Sequence, residues 1–184
     1  MSNPANRPLR PHVLELALQY EESTLFHQTR AEMQSLLGAA KNTLPSSSQI
    51  RGLANAISPQ GAGDSAHCQL LRLHSLVTRQ LIRQQNTDDI TVPEPIQELQ
   101  PGSTPNFWTY VAGRLRALRG DDSAPGKSEQ IWADVQKRYN LAAADGEPTP
   151  AQLDLIHLRL VQAFVYAVSE TWEHPHAFTQ EETA

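Results

Sequence analysis

Residues 149–173, TPAQLDLIHLRLVQAFVYAVSETWE, decide how the rest of the chain is read. Leu153, Ile156, Leu160, Phe164, Val165 and Val168 recur at the spacing that lines one side of an α-helix. The stripe is wide enough for a helix buried on most sides, so other helices must cover it. Thr149-Pro150 is a favourable start: the threonine hydroxyl satisfies a free backbone N–H, and proline is tolerated at the first helical position. Pro175 ends the pattern, leaving HAFTQEETA as a loose tail.

Working towards the N-terminus, the same helical period recurs. GEPTP (146–150) parts the last helix from a shorter one with Ile131, Trp132, Val135 and Tyr139 inward. GDDSAPGKS (120–128) parts that one from a helix that opens at Thr104-Pro105 and turns Phe107, Trp108, Val111, Leu115 and Leu118 to the core. Trp108 and Trp132 are read as core residues. Residues 86–105, NTDDITVPEPIQELQPGSTP, hold four prolines and form a linker or long excursion. Before it, Leu70, Leu73, Val77 and Leu81 mark a helix ending near Gln85 and capped by Asp64 or Ser65. SPQGAG (58–63) separates it from the helix in LPSSSQIRGLANAIS (44–58). There Ser46 and Gln49 have the spacing of a capping box, in which hydroxyl and amide each satisfy the other's backbone N–H. The apolar run from Val13 to Leu37 makes one long helix, or two joined near Glu22-Ser23, with Gly38 where a left-handed C-cap would sit. Only DDITV (88–92) alternates with period two. The expected class is therefore all-α, five to seven helices in a bundle without a sheet. The segments are 1–86, a linker at 87–104, 105–176 and a tail at 177–184. They form one compact domain or two lobes joined at the linker.

Composition narrows the chemistry. The chain has 184 residues, 39% of them hydrophobic, and no apolar run approaching a membrane span. A polar, proline-rich beginning and a single cysteine, Cys68, suit a reducing cytoplasm and rule out an internal disulfide framework. No phosphate-cradling glycine loop or nucleophile elbow is present. His174 and His176 flank Pro175 beside Glu173 but lack a distant third ligand, so no metal site is expected. His157 reads as a hydrogen-bonded core or boundary residue. Nothing calls for a cofactor, and the expectation is a protein that is not an enzyme.

Charge is the informative property. The chain is net acidic, with 15 basic and 20 acidic residues, yet the signs are segregated. From 33 to 87 there are Lys41, Arg51, Arg72, Arg79 and Arg83 against Asp64 alone, and from 99 to 120 there are Arg114, Arg116 and Arg119 against none. Glu15, Glu21, Glu22 and Glu32 crowd the first helix. Twelve of the fifteen cations are arginine, whose planar fork binds phosphate oxygens in pairs. Arg72, Arg79 and Arg83 share one helix face, and Arg116 and Arg119 share another. The competing reading is a solvated face, or arginines paired with acids of the first and last helices.

The SSSQIR stretch gains meaning beside two other motifs. Ser48-Gln49-Ile50-Arg51, preceded by Ala39-Ala40-Lys41-Asn42-Thr43-Leu44, resembles a helix start in the small helical subunit of type III CRISPR effector complexes. Tyr110-Val111-Ala112-Gly113-Arg114 is similar to a YxxGR segment of that family, and Phe164-Val165-Tyr166-Ala167-Val168 to its aromatic-rich last helix. The resemblance implies a non-catalytic, all-helical, RNA-associated protein. Several copies would stack along a ribonucleoprotein filament beside guide and target RNA. Gln49, Arg51 and Arg114 are its positional counterparts, and Arg72, Arg79, Arg83, Arg116 and Arg119 join them on charge. The partners expected are the guide and target RNA backbone, other subunits and further copies of the chain, with no membrane. The alternative is a helical adaptor or oligomeric regulator that binds protein only.

Overall fold

The long apolar stripe of the last helix is the axis of the fold. In a computed structural model, which describes residues 11–39, 44–85, 106–121, 124–138 and 148–174, it forms α6 (Pro150–Glu173). Thr149 caps it in a full capping box with Gln152, and Pro150 occupies the first turn. Ile156, Leu160, Val161, Phe164, Val165 and Val168 are buried on its several sides. The remaining helices, α1 (Pro11–Ala39), α2 (Ser47–Ala56), α3 (Ala66–Gln85), α4 (Phe107–Arg119) and α5 (Lys127–Arg138), all pack against it. α1 has the most extensive contact with it. One continuous hydrophobic cluster draws on all six helices, from Met33 and Leu53 to Leu73, Phe107, Ile131 and Phe164. The architecture is an all-α bundle.

Local chemistry explains the boundaries. Ser46 and Gln49 complete the capping box at the start of α2. Ser65 Oγ accepts from the Cys68 N–H at the start of α3. The stretch expected as one helix or two is a single α1 that passes through Glu22-Ser23 without a break. Gly38 lies inside it, and Gly120 is the positive-φ glycine among the described residues, so Gly38 is not a left-handed C-cap. Glycine permits αL but does not demand it. α4 opens at Asn106, whose side chain accepts from the Trp108 N–H. The expected Thr104-Pro105 start lies outside the described residues, as do the linker, DDITV and the tail.

The α4–α5 connection holds a detail that periodicity does not carry. Gly120–Asp121 pairs antiparallel with Ala124–Pro125, a two-residue bridge rather than a sheet. Gly120 sits at φ 79°, and a Cβ on Gly126 would lie 2.0 Å from the Arg119 carbonyl oxygen. Two glycines let α4 reverse tightly into α5. Trp108 and Trp132, one on each helix, are both buried.

Candidate nucleic-acid interface

α2 and α3 run antiparallel in close contact. At one end Gln49 Nε2 donates to Gln80 Oε1 at 3.0 Å, and at the other Arg72 Nε donates to the Ala56 carbonyl at 3.2 Å. Between them a Cβ added at Gly52 would meet Leu76 Cδ1 at 3.3 Å, so the small residue sets how closely the helices approach. A shallow groove between them includes Asn55, Ser75 and Arg79.

The eight residues singled out from the sequence separate into three groups. Arg51, Arg79 and Arg83 are exposed, and among the described residues no carboxylate is paired with any of them. Arg79 Nε donates to the Ser75 carbonyl of its own helix, a bond that leaves both terminal nitrogens for a ligand. Because Gln49 touches Gln80, the start of α2, which carries Arg51, lies beside the last turns of α3, which carry Arg83. Gln49 itself is half-buried and occupied by its cap and by Gln80.

Arg72 and Arg114 form a second group, and for these two the structure shows pairing with an acid. Arg72 grips Asp64 with two bonds of 2.7 and 2.6 Å and donates to the Ala56 and Ser58 carbonyls. It closes the α2–α3 turn, as a cation does at a helix C-terminus. The pairing holds the Asp64 carboxyl below the usual range, helped by the Gln60 N–H. Arg114 donates to Glu32 of α1 through Nε at 2.8 Å and through Nη2, and the same carboxylate accepts from Tyr110 Oη at 2.9 Å. The YxxGR segment is thus an anchor of α4 on α1. Seven residues of helix put Arg72 on the face of Arg79, but periodicity within one helix cannot see Asp64 in the preceding turn or Glu32 on another helix.

Arg116 and Arg119 make the third group. Both are exposed on α4. Arg119 stands at a different place, a cavity bounded by α3, α5 and α6, where its charge acts on His74 and His157. His67, His74 and Asp154 around that cavity escaped the sequence reading, while His157, expected as a core or boundary residue, is buried there. Their signal was pairwise: His67 and His74 are two turns apart on one helix, and Asp154 and His157 are one turn apart on another. Burial, then His74 and Arg119, push the His157 imidazole down to about 4, so it is neutral at physiological pH.

The acids of α1 are also committed. Arg159 of α6 bridges Glu15 and Glu22 at 2.5 and 2.6 Å, and Lys127 of α5 meets Glu21 at 2.9 Å. Segregation of charge along the sequence is therefore partly cancelled in the fold, while Arg51, Arg79 and Arg83 on α2 and α3, and Arg119 on α4, are paired with no described carboxylate. Among the described residues no group of three His, Cys, Asp or Glu side chains could hold a metal, and no helix is long and apolar enough to cross a membrane. In comparisons with protein-family models, curated proteins and solved structures, nothing matches this chain.

Proposed function

We propose that the chain is a non-catalytic helical subunit of an RNA-guided antiviral ribonucleoprotein complex, touching the guide or target RNA backbone through Arg51, Arg79 and Arg83. The carrying observation is that these three guanidinium groups stay exposed and unpaired with described carboxylates while Arg72, Arg114 and Arg159 are neutralised. Contacts of this type track phosphates and ignore base identity, which suits a subunit repeated along an RNA of arbitrary sequence. Arg51 is also the arginine of the segment that resembles the type III small subunit. The narrowed set leaves Arg72 and Arg114 as scaffold residues. Arg51→Glu, Arg79→Glu and Arg83→Glu together, in the reconstituted complex, test the reading: RNA affinity falls strongly if the strip binds, and unchanged affinity with intact folding rejects it.

A second reading, a protein-only adaptor, is favoured by a different surface. Leu16, Tyr20 and Tyr166 expose most of their area, the first two one turn apart on α1. Tyr166 borders a groove between α1 and α6 that also includes Phe26 and Gln162. Exposed tyrosines of this kind serve protein contacts. In the favoured reading they meet neighbouring subunits; in the adaptor reading they are the whole function. Nucleic acid co-purifying with the native protein separates the two.

A further inference from the structure

The reading above makes no use of the cavity between α3, α5 and α6. Every element that borders it brings a titratable or charged group. His67 and His74 come from α3, Arg119 from the end of α4, Glu129 from the first turn of α5, and Asp154 and His157 from α6. Three imidazoles thus share one small space with a guanidinium and two carboxylates. His157 is the most buried of the three, at 5% exposure, and is hydrogen-bonded to the Leu118 backbone.

The carboxylates do not make this space hospitable to an imidazolium. Asp154 is engaged by His67 Nδ1 at 3.0 Å, and Glu129 accepts the Gly126 N–H at 3.2 Å. Burial comes first in holding both His74 and His157 neutral, and the Arg119 charge adds to it. Asp154 pulls the other way on His157, and more weakly. Acid must therefore place positive charge where water is scarce and Arg119 is near, unless part of the wall gives way. The part placed to do so is the α4–α5 corner. Leu118 and Arg119 stand at the end of α4, Ser128 and Glu129 in the first turn of α5, and Gly120 and Gly126 lie between them. Helix ends open at lower free energy than helix middles, whereas the centre of α6 is fully buried.

We propose that this cluster is an acid-sensitive latch: protonation of His74 and His157 releases the last turn of α4 and the first turn of α5 from α3 and α6. Release hydrates both rings and takes Arg119 away from them. At neutral pH the rings are uncharged and the corner stays closed. With His157 at about 4 in the closed form and 6.5 in the open one, a change from pH 7 to pH 5 raises the opening constant about twentyfold through that ring alone. His74 adds in the same direction. The inference does not rest on the RNA reading, because Arg51, Arg79 and Arg83 border none of this space.

Residue-resolved amide hydrogen exchange of the full chain at pH 7 and pH 5, corrected for the intrinsic rate at each pH, tests it. The Leu118 and Ile131 amides should lose protection about twentyfold or more at pH 5, while those of Phe164 and Val165 in α6 keep theirs. His157→Gln should remove most of that loss. Arg119→Gln, an exposed change that spares the core, should remove part of it, and decides the matter if the His157 variant fails to fold. An even loss of protection over all six helices, no loss at pH 5, or a loss equal to wild type in the variants that fold overturns the latch. Corner amides already unprotected at pH 7 overturn it as well.

Discussion

His157 is a residue whose chemistry departs far from that of an ordinary imidazole. Its neutral form is favoured in the fold, by burial first and then by the charges of His74 and Arg119, against a weaker opposite pull from Asp154. A base with a depressed folded pKa stabilises the fold fully above its unfolded pKa. That stability is lost as pH falls from about 6.5 towards 4, because only the unfolded chain then accepts the proton freely. The loss amounts to roughly 3 kcal/mol across that window. Urea midpoints measured through the window should fall steeply in the wild type and less so in His157→Gln; parallel profiles would deny the residue this role. His74, also held down by burial, adds in the same direction. Arg72 and Asp64 behave as a structural pair: Arg72→Gln should lower the thermal midpoint and leave RNA affinity within experimental error. An equal loss of RNA affinity in Arg72→Gln and Arg79→Gln would show that the division between scaffold and surface arginines is misplaced.

Among the elements, the starts of α2 and α6 were legible, whereas the start of α4 at Asn106 and the reversals were not. Ser46-Gln49 and Thr149-Gln152 announce themselves because a cap is a local bargain between residues three apart. Ser46→Ala should cost about 1 kcal/mol in urea denaturation, whereas no change would mean that α2 is held by packing alone. The α4–α5 reversal depends on how two backbones meet, and no spacing rule reports that Gly126 lies against Arg119. Alanine at Gly126 has no room, so Gly126→Ala should destabilise more than Gly38→Ala, which meets nothing within 4 Å. Equal effects in thermal melts would contradict the close approach. The same contrast holds for the candidate site. Exposure of Arg79 and Arg83 followed from an acid-free helix face, while the capture of Arg114 by Glu32 needed the distance between 32 and 114 to be closed by folding.

At the scale of the whole molecule, α6 organises the bundle and the charge follows from how the others surround it. α1 faces α6 and α5 and spends Glu15, Glu21 and Glu22 on Arg159 and Lys127, which ties its acids down away from α2–α3. Loss of a central side chain should be felt globally: Phe164→Ala is expected to cost about 3–5 kcal/mol, read as a single shifted unfolding transition. A split transition would instead show that the N- and C-terminal helices fold apart. The functional claim rests on the exposed arginines of α2 and α3, Arg51, Arg79 and Arg83. The most direct test is the salt dependence of single-stranded RNA binding by the assembled complex, with wild-type chain and with all three arginines changed to glutamine. Three phosphate contacts contribute about 2 units to the slope of log affinity against log salt concentration, so the triple variant should bind more weakly and with a slope shallower by that amount. A variant with the wild-type slope and affinity would contradict the account.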